Sequence, residues 1–157
     1  MSGELARREA ANIGAQWIAS AHPTPEQVWE DWDRHSVAIV PTGTAWDAVT
    51  MPYDRWLAVS ADMGPLAWAH TPVLADMSTG RVYVVVPTGT AQTWSEPGTT
   101  ALGEGSWLVM SKPGGPQDRA GQWITPPGLL TRLATPADLS AALRRTVTDN
   151  SRQEEGF

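Results

Sequence analysis

Short apolar runs separated by glycine-containing turns dominate the middle of the chain and predict β-strands. The clearest runs are 73–76, 82–86 and 102–109, interrupted by Ser78-Thr79-Gly80 and by Gly103-Glu104-Gly105. Runs of Val, Leu, Tyr and Trp closed by glycine turns are typical of adjacent strands. We therefore expect the three runs to lie side by side in one sheet. Residues 82–86 are almost wholly apolar, which predicts a central strand covered on both faces.

Helical periodicity and helix-start signals predict four helices, at 4–20, 25–34, 54–63 and 136–147. The expected core-facing stripe of the first helix consists of Ala6, Ala10, Ile13 and Trp17. Thr24 is expected to cap the second helix, with Pro25 at its first position and Gln27 completing a capping box. Asp54 is expected to cap the third helix.

Three further strands are expected at 36–40, 46–51 and 121–125, each followed by a proline that cannot donate to a sheet. The 157 residues are within the size of one domain. We therefore predict a single α+β domain over 1–147, with a mixed or antiparallel central sheet and flanking helices. Residues 148–157 are polar and charged, and a disordered tail is expected there.

Composition and charge narrow the classes of protein to which the chain can belong. It has no cysteine, which excludes disulfides and thiolate metal sites. No stretch approaches the roughly 20 apolar residues of a membrane span, and no signal peptide is recognisable. These features predict a cytoplasmic protein without a membrane partner. The net charge of −6 and a single lysine, Lys112, argue against nucleic acid as a partner, because phosphate binding requires a basic face.

The chain contains nine tryptophans but only one phenylalanine. The simpler interpretation is that tryptophan serves as core filler. The alternative is that exposed tryptophans form platforms on which bases or other rings stack.

The hexapeptide Val-Pro-Thr-Gly-Thr-Ala occurs twice, at 40–45 and 86–91, each time after a predicted strand. Either the two copies are strand-terminating turns, or they are backbone loops that hold a ligand with hydroxyl and N–H groups. For the second interpretation, the candidate ligand-binding residues are Thr42, Gly43, Thr44, Asp47, Arg81, Thr88, Gly89 and Trp107.

No established catalytic motif is present. The three histidines lack metal-ligand spacing, and the acids Glu30, Asp31 and Asp33 surround the polar face of a predicted helix. We therefore predict no metal site and no cofactor. If the protein is an enzyme of another type, the only candidates for its chemistry are Ser106, Glu104 and Asp76.

The order of several short motifs resembles the N-terminal domain of bifunctional DNA primase/polymerases, which has the archaeo-eukaryotic primase-like fold. The resemblance covers about residues 24–127. The segments that carry it are Thr-Pro-Glu-Gln-Val-Trp at 24–29, Val-Ala-Ile-Val-Pro-Thr-Gly at 37–43, Trp-Asp-Ala-Val-Thr-Met-Pro at 46–52, Thr-Gly-Arg-Val-Tyr-Val at 79–84, Gly-Glu-Gly-Ser-Trp-Leu-Val at 103–109 and Gly-Gln-Trp at 121–123. It implies a primase-like sheet with a nucleotide site above it.

The residues that give this family its activity do not carry over. Its Asp-x-Asp pair falls at Thr50 and Pro52, and its histidine falls at Val82. Its later acid falls near Thr100, and the arginine after it at Leu102. The resemblance therefore implies a non-catalytic relative that is regulatory or binds a protein partner. The alternatives are a small-molecule or nucleotide-binding protein that uses the two turns, and an enzyme of unrecognised type.

Overall fold

The computed structural model describes the backbone of residues 2–155 and the side chains of residues 3–147. The helices are α1 (Ser2–Ala19), α2 (Pro25–His35), α3 (Tyr53–Met63), α4 (Pro65–Trp68), α5 (Thr90–Thr93) and α6 (Pro136–Glu155). The strands are β1 (Val37–Pro41), β2 (Asp47–Pro52), β3 (Val73–Asp76), β4 (Arg81–Val86), β5 (Thr100–Leu102), β6 (Trp107–Ser111) and β7 (Gln122–Thr125). This combination of helices and antiparallel sheets confirms the predicted α+β fold.

The larger sheet has five strands in the order β5-β2-β4-β3-β7, and every neighbouring pair is antiparallel. Its central strand is β4, as the apolar run predicted. Val82, Val84 and Val86 pack on one face with residues of α3 and α6, whereas Val85 packs on the other face with residues of α1 and α2. The sheet is therefore covered on both sides at its centre.

The prediction that the run ending near residue 109 joins this sheet is wrong for its second half. Residues 100–102 form β5 at the edge of the large sheet, but β6 pairs with β1 in a separate two-stranded sheet. Leu108 and Met110 of β6 enter the same core as Ala38 and Val40 of β1. An apolar run predicts a strand, but the choice of partner depends on contacts between distant residues that no local pattern encodes.

The core-facing stripe predicted for α1 is wrong in part, because Trp17 packs against the core and stacks on Trp46 but Ala6 is exposed. Ile13 is exposed, and the buried face instead carries Gly14, Ala15, Ile18 and Ala19. A Cβ atom on Gly14 would lie only 2.1 Å from the carbonyl oxygen of Pro127. The helix is therefore rotated so that its small residues face the segment at Pro127, and the two backbones approach closely. The larger Ile13 is left exposed by this orientation.

The helices begin near the predicted residues, but without the predicted caps. α2 starts at Pro25 as expected, yet the Thr24 side chain makes no capping hydrogen bond, and the Gln27 side chain donates to Asp31 instead. Pro52, not Asp54, precedes the first residue of α3. The tail predicted at 148–157 lies outside the residues whose side chains are described, and α6 runs to Glu155.

Tryptophan serves mainly as core filler, as the simpler interpretation predicted. The buried ones are Trp32, Trp46, Trp56, Trp68 and Trp123. Trp17, Trp29 and Trp94 are half-buried, and Trp107 is exposed.

The contact between α1 and Pro127 yields a stability prediction. Gly14→Ala forces a methyl group into the Pro127 carbonyl, so we expect the free energy of unfolding to fall by about 1–3 kcal/mol. Gly3→Ala, in the same helix, meets nothing within 4 Å and is expected to leave stability unchanged or raise it by up to about 1 kcal/mol. Urea unfolding measures both. Equal effects of the two substitutions would contradict the close packing of α1.

Candidate functional site

Both copies of the repeated hexapeptide lie at one end of the large sheet. The antiparallel register of β2 and β4 places Asp47 opposite Val86. The first copy ends two residues before Asp47, and the second begins at Val86. The pairing of these two strands therefore brings together two turns that are more than 40 residues apart in the sequence.

The first turn is fixed against residues 103–106. The Thr42 hydroxyl lies 2.5 Å from the Gly103 carbonyl oxygen and 3.1 Å from that of Ser106, and the Thr42 N–H donates to the same Ser106 oxygen at 2.9 Å. Gly43 has a φ of +93°, and a Cβ atom there would lie 2.4 Å from the Glu104 nitrogen. The conformation and the tight contact together require glycine at this position.

The second turn is held by the carboxylate of Asp47. The Ala91 N–H donates to Oδ2 of Asp47 at 2.9 Å, and the Thr90 hydroxyl donates to the Pro87 carbonyl at 2.6 Å. Asp47 is only 2% exposed, and its Oδ1 has no hydrogen-bond partner among the described residues. Thr88 and Gly89 lie on the exposed side of this turn.

These bonds change the interpretation of the two turns. Among the residues proposed to hold a ligand, Thr42 has its hydroxyl and its N–H occupied by other parts of the chain. In the second turn the occupied donors are those of Thr90 and Ala91, whereas the candidates Thr88 and Gly89 are exposed, as is Thr44. The turns therefore serve as structural links between β1, β2, β4 and the segment that leads into β6.

Arg81 does not join the other candidate residues. It pairs with Pro52 and with Asp76, and its Nε lies 3.3 Å from the Thr50 hydroxyl. Five residues of extended strand separate it from Val86, a distance of about 17 Å. Arg81 therefore lies at the opposite end of β4 from the two turns.

Trp107 lies beside the first turn, on the small sheet. It pairs with Pro41 and is 55% exposed, and its ring makes an edge contact with His22 at a centroid distance of 6.4 Å. We call the side of the β1–β6 sheet that points away from the core the outer face. Its accessible residues are Val37, Ile39, Pro41, Trp107 and Val109, whereas Ser111, which lies on the same side opposite Val37, is buried.

Ile39, which sequence reasoning missed, is the second prominent residue of the outer face and is 54% exposed. All five residues of β1 are apolar, so the sequence does not distinguish its buried side from its exposed side. The exposure of Ile39 follows from the burial of Ala38 and Val40 on the opposite side.

The three residues considered for an unrecognised enzyme are not brought together. Glu104 and Ser106 lie in the turn before β6, whereas Asp76 lies at the Arg81 end of the large sheet. Partial burial raises the pKa of the Asp76 carboxyl, but hydrogen bonds from Ser78 and Thr79 outweigh this and lower it below its ordinary value. Asp76 therefore acts as the acceptor of its own turn.

One further buried carboxylate belongs to the scaffold. The Ser140 hydroxyl donates to Glu96, and Nη2 of Arg144 lies 2.7 Å from Oε1 of Glu96. The hydrogen bond from Ser140, followed by that from Arg144, lowers the pKa of Glu96, although burial acts in the opposite direction. These bonds join the segment after α5 to α6.

The residues whose side chains are described, 3–147, contain no group of three or more His, Asp or Glu side chains placed to hold a metal ion. Within residues 2–155, no helix is both long and apolar enough to cross a membrane. Comparisons with family models, with curated proteins and with solved structures found no significant match for the chain.

A structural role for the first turn predicts a stability loss in the protein without any ligand. Thr42→Val keeps the side-chain shape but removes the hydroxyl that bonds to Gly103 and Ser106, so we expect a loss of about 1–2 kcal/mol. Thr44→Val, two residues away at an exposed position, is the matched control and should change stability by less than about 0.5 kcal/mol. Thermal or urea unfolding distinguishes the two. A Thr42→Val protein as stable as the wild type would show that this hydroxyl is free for another purpose.

Proposed function

We propose that this chain is a non-enzymatic interaction protein on a primase/polymerase-like scaffold, and that it contacts a protein partner through the outer face of the β1–β6 sheet. We propose the cytoplasm as its location. The observation that carries the proposal is the joint exposure of Trp107 and Ile39 on one small sheet whose other side is fully packed.

The composition of the outer face supports protein binding. Its five accessible residues are apolar or proline, and the two most exposed are a tryptophan and an isoleucine. Contiguous apolar surface on a small domain is characteristic of interaction sites. Tryptophan is enriched among the residues that dominate binding energy at protein interfaces, because it buries a large rigid surface at a small entropic cost. The turn fixed by Thr42 holds the backbone next to Trp107, and the indole contacts His22, which limits the ordering that binding requires.

The positions that correspond to the catalytic acids support the absence of primase chemistry. Thr50 on β2 and Thr100 on β5 are direct cross-strand partners, so the positions at which the resemblance expects two acids are neighbours. Neither side chain is a carboxylate, and the Nε of the cation Arg81 donates to the Thr50 hydroxyl. Val82, where a histidine would be expected, is buried on the opposite face. Two-metal phosphoryl transfer depends on converging carboxylates, which this arrangement lacks.

Substitution of Trp107 tests the proposal. The wild-type chain is used to recover binding partners from its source cells, and the recovered partner is then purified and titrated against variants. We expect Trp107→Ala to raise the dissociation constant by about tenfold or more, because the exposed indole supplies much of the buried contact area. Leu66→Ala is the matched control, since Leu66 is 92% exposed but lies on α4. It is expected to bind like the wild type.

Two results would contradict the proposed function. One is an equal affinity of the purified partner for the wild type and for Trp107→Ala. The other is robust Mg²⁺-dependent nucleotidyl transfer by the wild-type chain that disappears in Asp47→Ala. A folded state verified by circular dichroism is required for every variant.

A further inference from the structure

The register of the small sheet determines which backbone groups of β1 point outward. Pro41 has no N–H, so its pair with Trp107 is of the type without hydrogen bonds. The next pair, Thr42 with Ser106, is hydrogen-bonded through the Thr42 N–H, which agrees with this assignment. The pairs alternate along an antiparallel ladder. Ala38 and Val40 therefore bond to β6, whereas the N–H and C=O groups of Val37 and Ile39 point away from it.

These outward groups have no partner in the described part of the chain. Apart from the β1–β6 ladder, no hydrogen bond there reaches the backbone of Val37 or Ile39. The other side of β6 is occupied by the turn at Arg119–Gly121, where a Cβ atom on Gly121 would lie 2.2 Å from the Val109 carbonyl oxygen. β1 is therefore the open edge of the small sheet.

Open edges are commonly protected by charged side chains, which prevent pairing with another chain. β1 has the sequence Val-Ala-Ile-Val-Pro and β6 the sequence Trp-Leu-Val-Met-Ser, and neither carries a charge. Pro41 is the one residue of β1 that lacks a donor, and it lies at the very end of the strand. The centre of the edge, at Ile39, is left ready to pair.

We propose that β1 pairs antiparallel with β1 of a second copy of this chain, about a two-fold axis at Ile39. The inference goes beyond the proposed function, which concerns the outer face of the sheet and not its edge. In this arrangement the two Ile39 residues exchange both of their outward hydrogen bonds. Each Val37 N–H donates to the Pro41 carbonyl of the other copy, so every outward N–H of β1 finds an acceptor.

The sequence of β1 favours a second copy, because the side chains that the axis places opposite each other are apolar: Ile39 faces Ile39, and Val37 faces Pro41. Arg34 is exposed in the last turn of α2, directly before the Val37 end of the strand and beside the exposed Asp33. Glu104 is exposed and packs its backbone against Gly43, beyond the Pro41 end. Antiparallel pairing brings the Arg34 end of one copy beside the Glu104 end of the other.

The pairing would also enlarge the proposed binding surface. Ile39 lies opposite Val109 in the β1–β6 register. Across the axis, the row Val109-Ile39 of one copy continues into the Ile39-Val109 row of the other. The two outer faces then form one four-stranded apolar surface with a Trp107 near each end.

Charge substitutions at residue 39 test the proposal, because the axis makes this residue its own neighbour. Wild-type chain is examined by sedimentation velocity over a concentration series and is expected to form a dimer. Ile39→Lys places two ammonium groups side by side at the axis, and Ile39→Glu places two carboxylates there, so each variant alone should be monomeric. An equimolar mixture of the two variants should regain the dimer, because opposite charges then face each other.

Leu66→Lys and Leu66→Glu are the matched controls, since this exposed position carries the same charge changes away from β1. Both should dimerise like the wild type. As a second measure, Ile39→Pro removes only an outward donor and should weaken the dimer by about tenfold or more while the fold is retained. Circular dichroism verifies the fold of each variant.

Three results would overturn the pairing. They are a wild-type chain that stays monomeric at the highest concentration, a dimer that persists in Ile39→Lys, and a mixture of the two charge variants that stays monomeric. If the chain is monomeric and binds an extended peptide of another protein, and if the Ile39→Pro variant no longer binds that peptide, the edge is assigned to the peptide instead. In these cases the effect of Trp107→Ala on partner binding still tests the proposed function separately.

Discussion

The hydrogen bond from the Ala91 amide to the Asp47 carboxylate connects the second copy of the repeated hexapeptide to the start of β2, two residues after the first copy ends. It exists because β2 and β4 are paired with Asp47 opposite Val86. Asp47 is only 2% exposed, and burying a carboxylate costs free energy unless the carboxylate accepts hydrogen bonds. The backbone that supplies the Ala91 donor is therefore favoured in its present position. The short helix α5, which begins beside this carboxylate, is thereby tied to the end of the large sheet.

The orientation of the small sheet follows from the neighbouring turn. Thr42 fixes Gly103 and Ser106, and the next residue along the chain is Trp107. The same turn continues the β1–β6 ladder by one further hydrogen bond, from the Thr42 N–H to Ser106. Because hydrogen-bonded pairs alternate along the ladder, the backbone N–H and C=O of Ile39 then point away from β6. The polar groups of Thr42 and Ala91 are thus used inside the molecule, whereas the exposed strand residues beyond the first turn, Ile39 and Trp107, are apolar. Thr42, Gly43 and Asp47, which sequence reasoning proposed as ligand contacts, make contacts within the scaffold.

Sequence reasoning succeeded where local chemistry decides the structure. The apolar run of β4, the terminating turns after β1 and β4, and the proline at the start of α2 each have a local physical cause. It failed where contacts between distant residues decide. The partner of β6 and the rotation of α1 about Gly14 depend on close approach to segments more than 60 residues away.

The candidate site shows the same division. The repeat drew attention to Thr42, and the structure does use it, but as an internal donor. Arg81 was grouped with the turns as a candidate ligand contact, yet strand pairing places it at the opposite end of the sheet. Ile39 was overlooked because an all-apolar strand shows no alternation from which its exposed side can be recognised.

Amide hydrogen exchange in the unliganded protein, followed residue by residue by NMR, tests most directly whether the turns serve the scaffold. The amides of Thr42, Gly43 and Ala91 donate within the molecule and should exchange as slowly as those of the adjoining strands. The amides of Thr44 and Thr88 should exchange rapidly. Rapid exchange at Thr42 and Ala91 that becomes slow only when a nucleotide is added would contradict the account and return both turns to ligand binding.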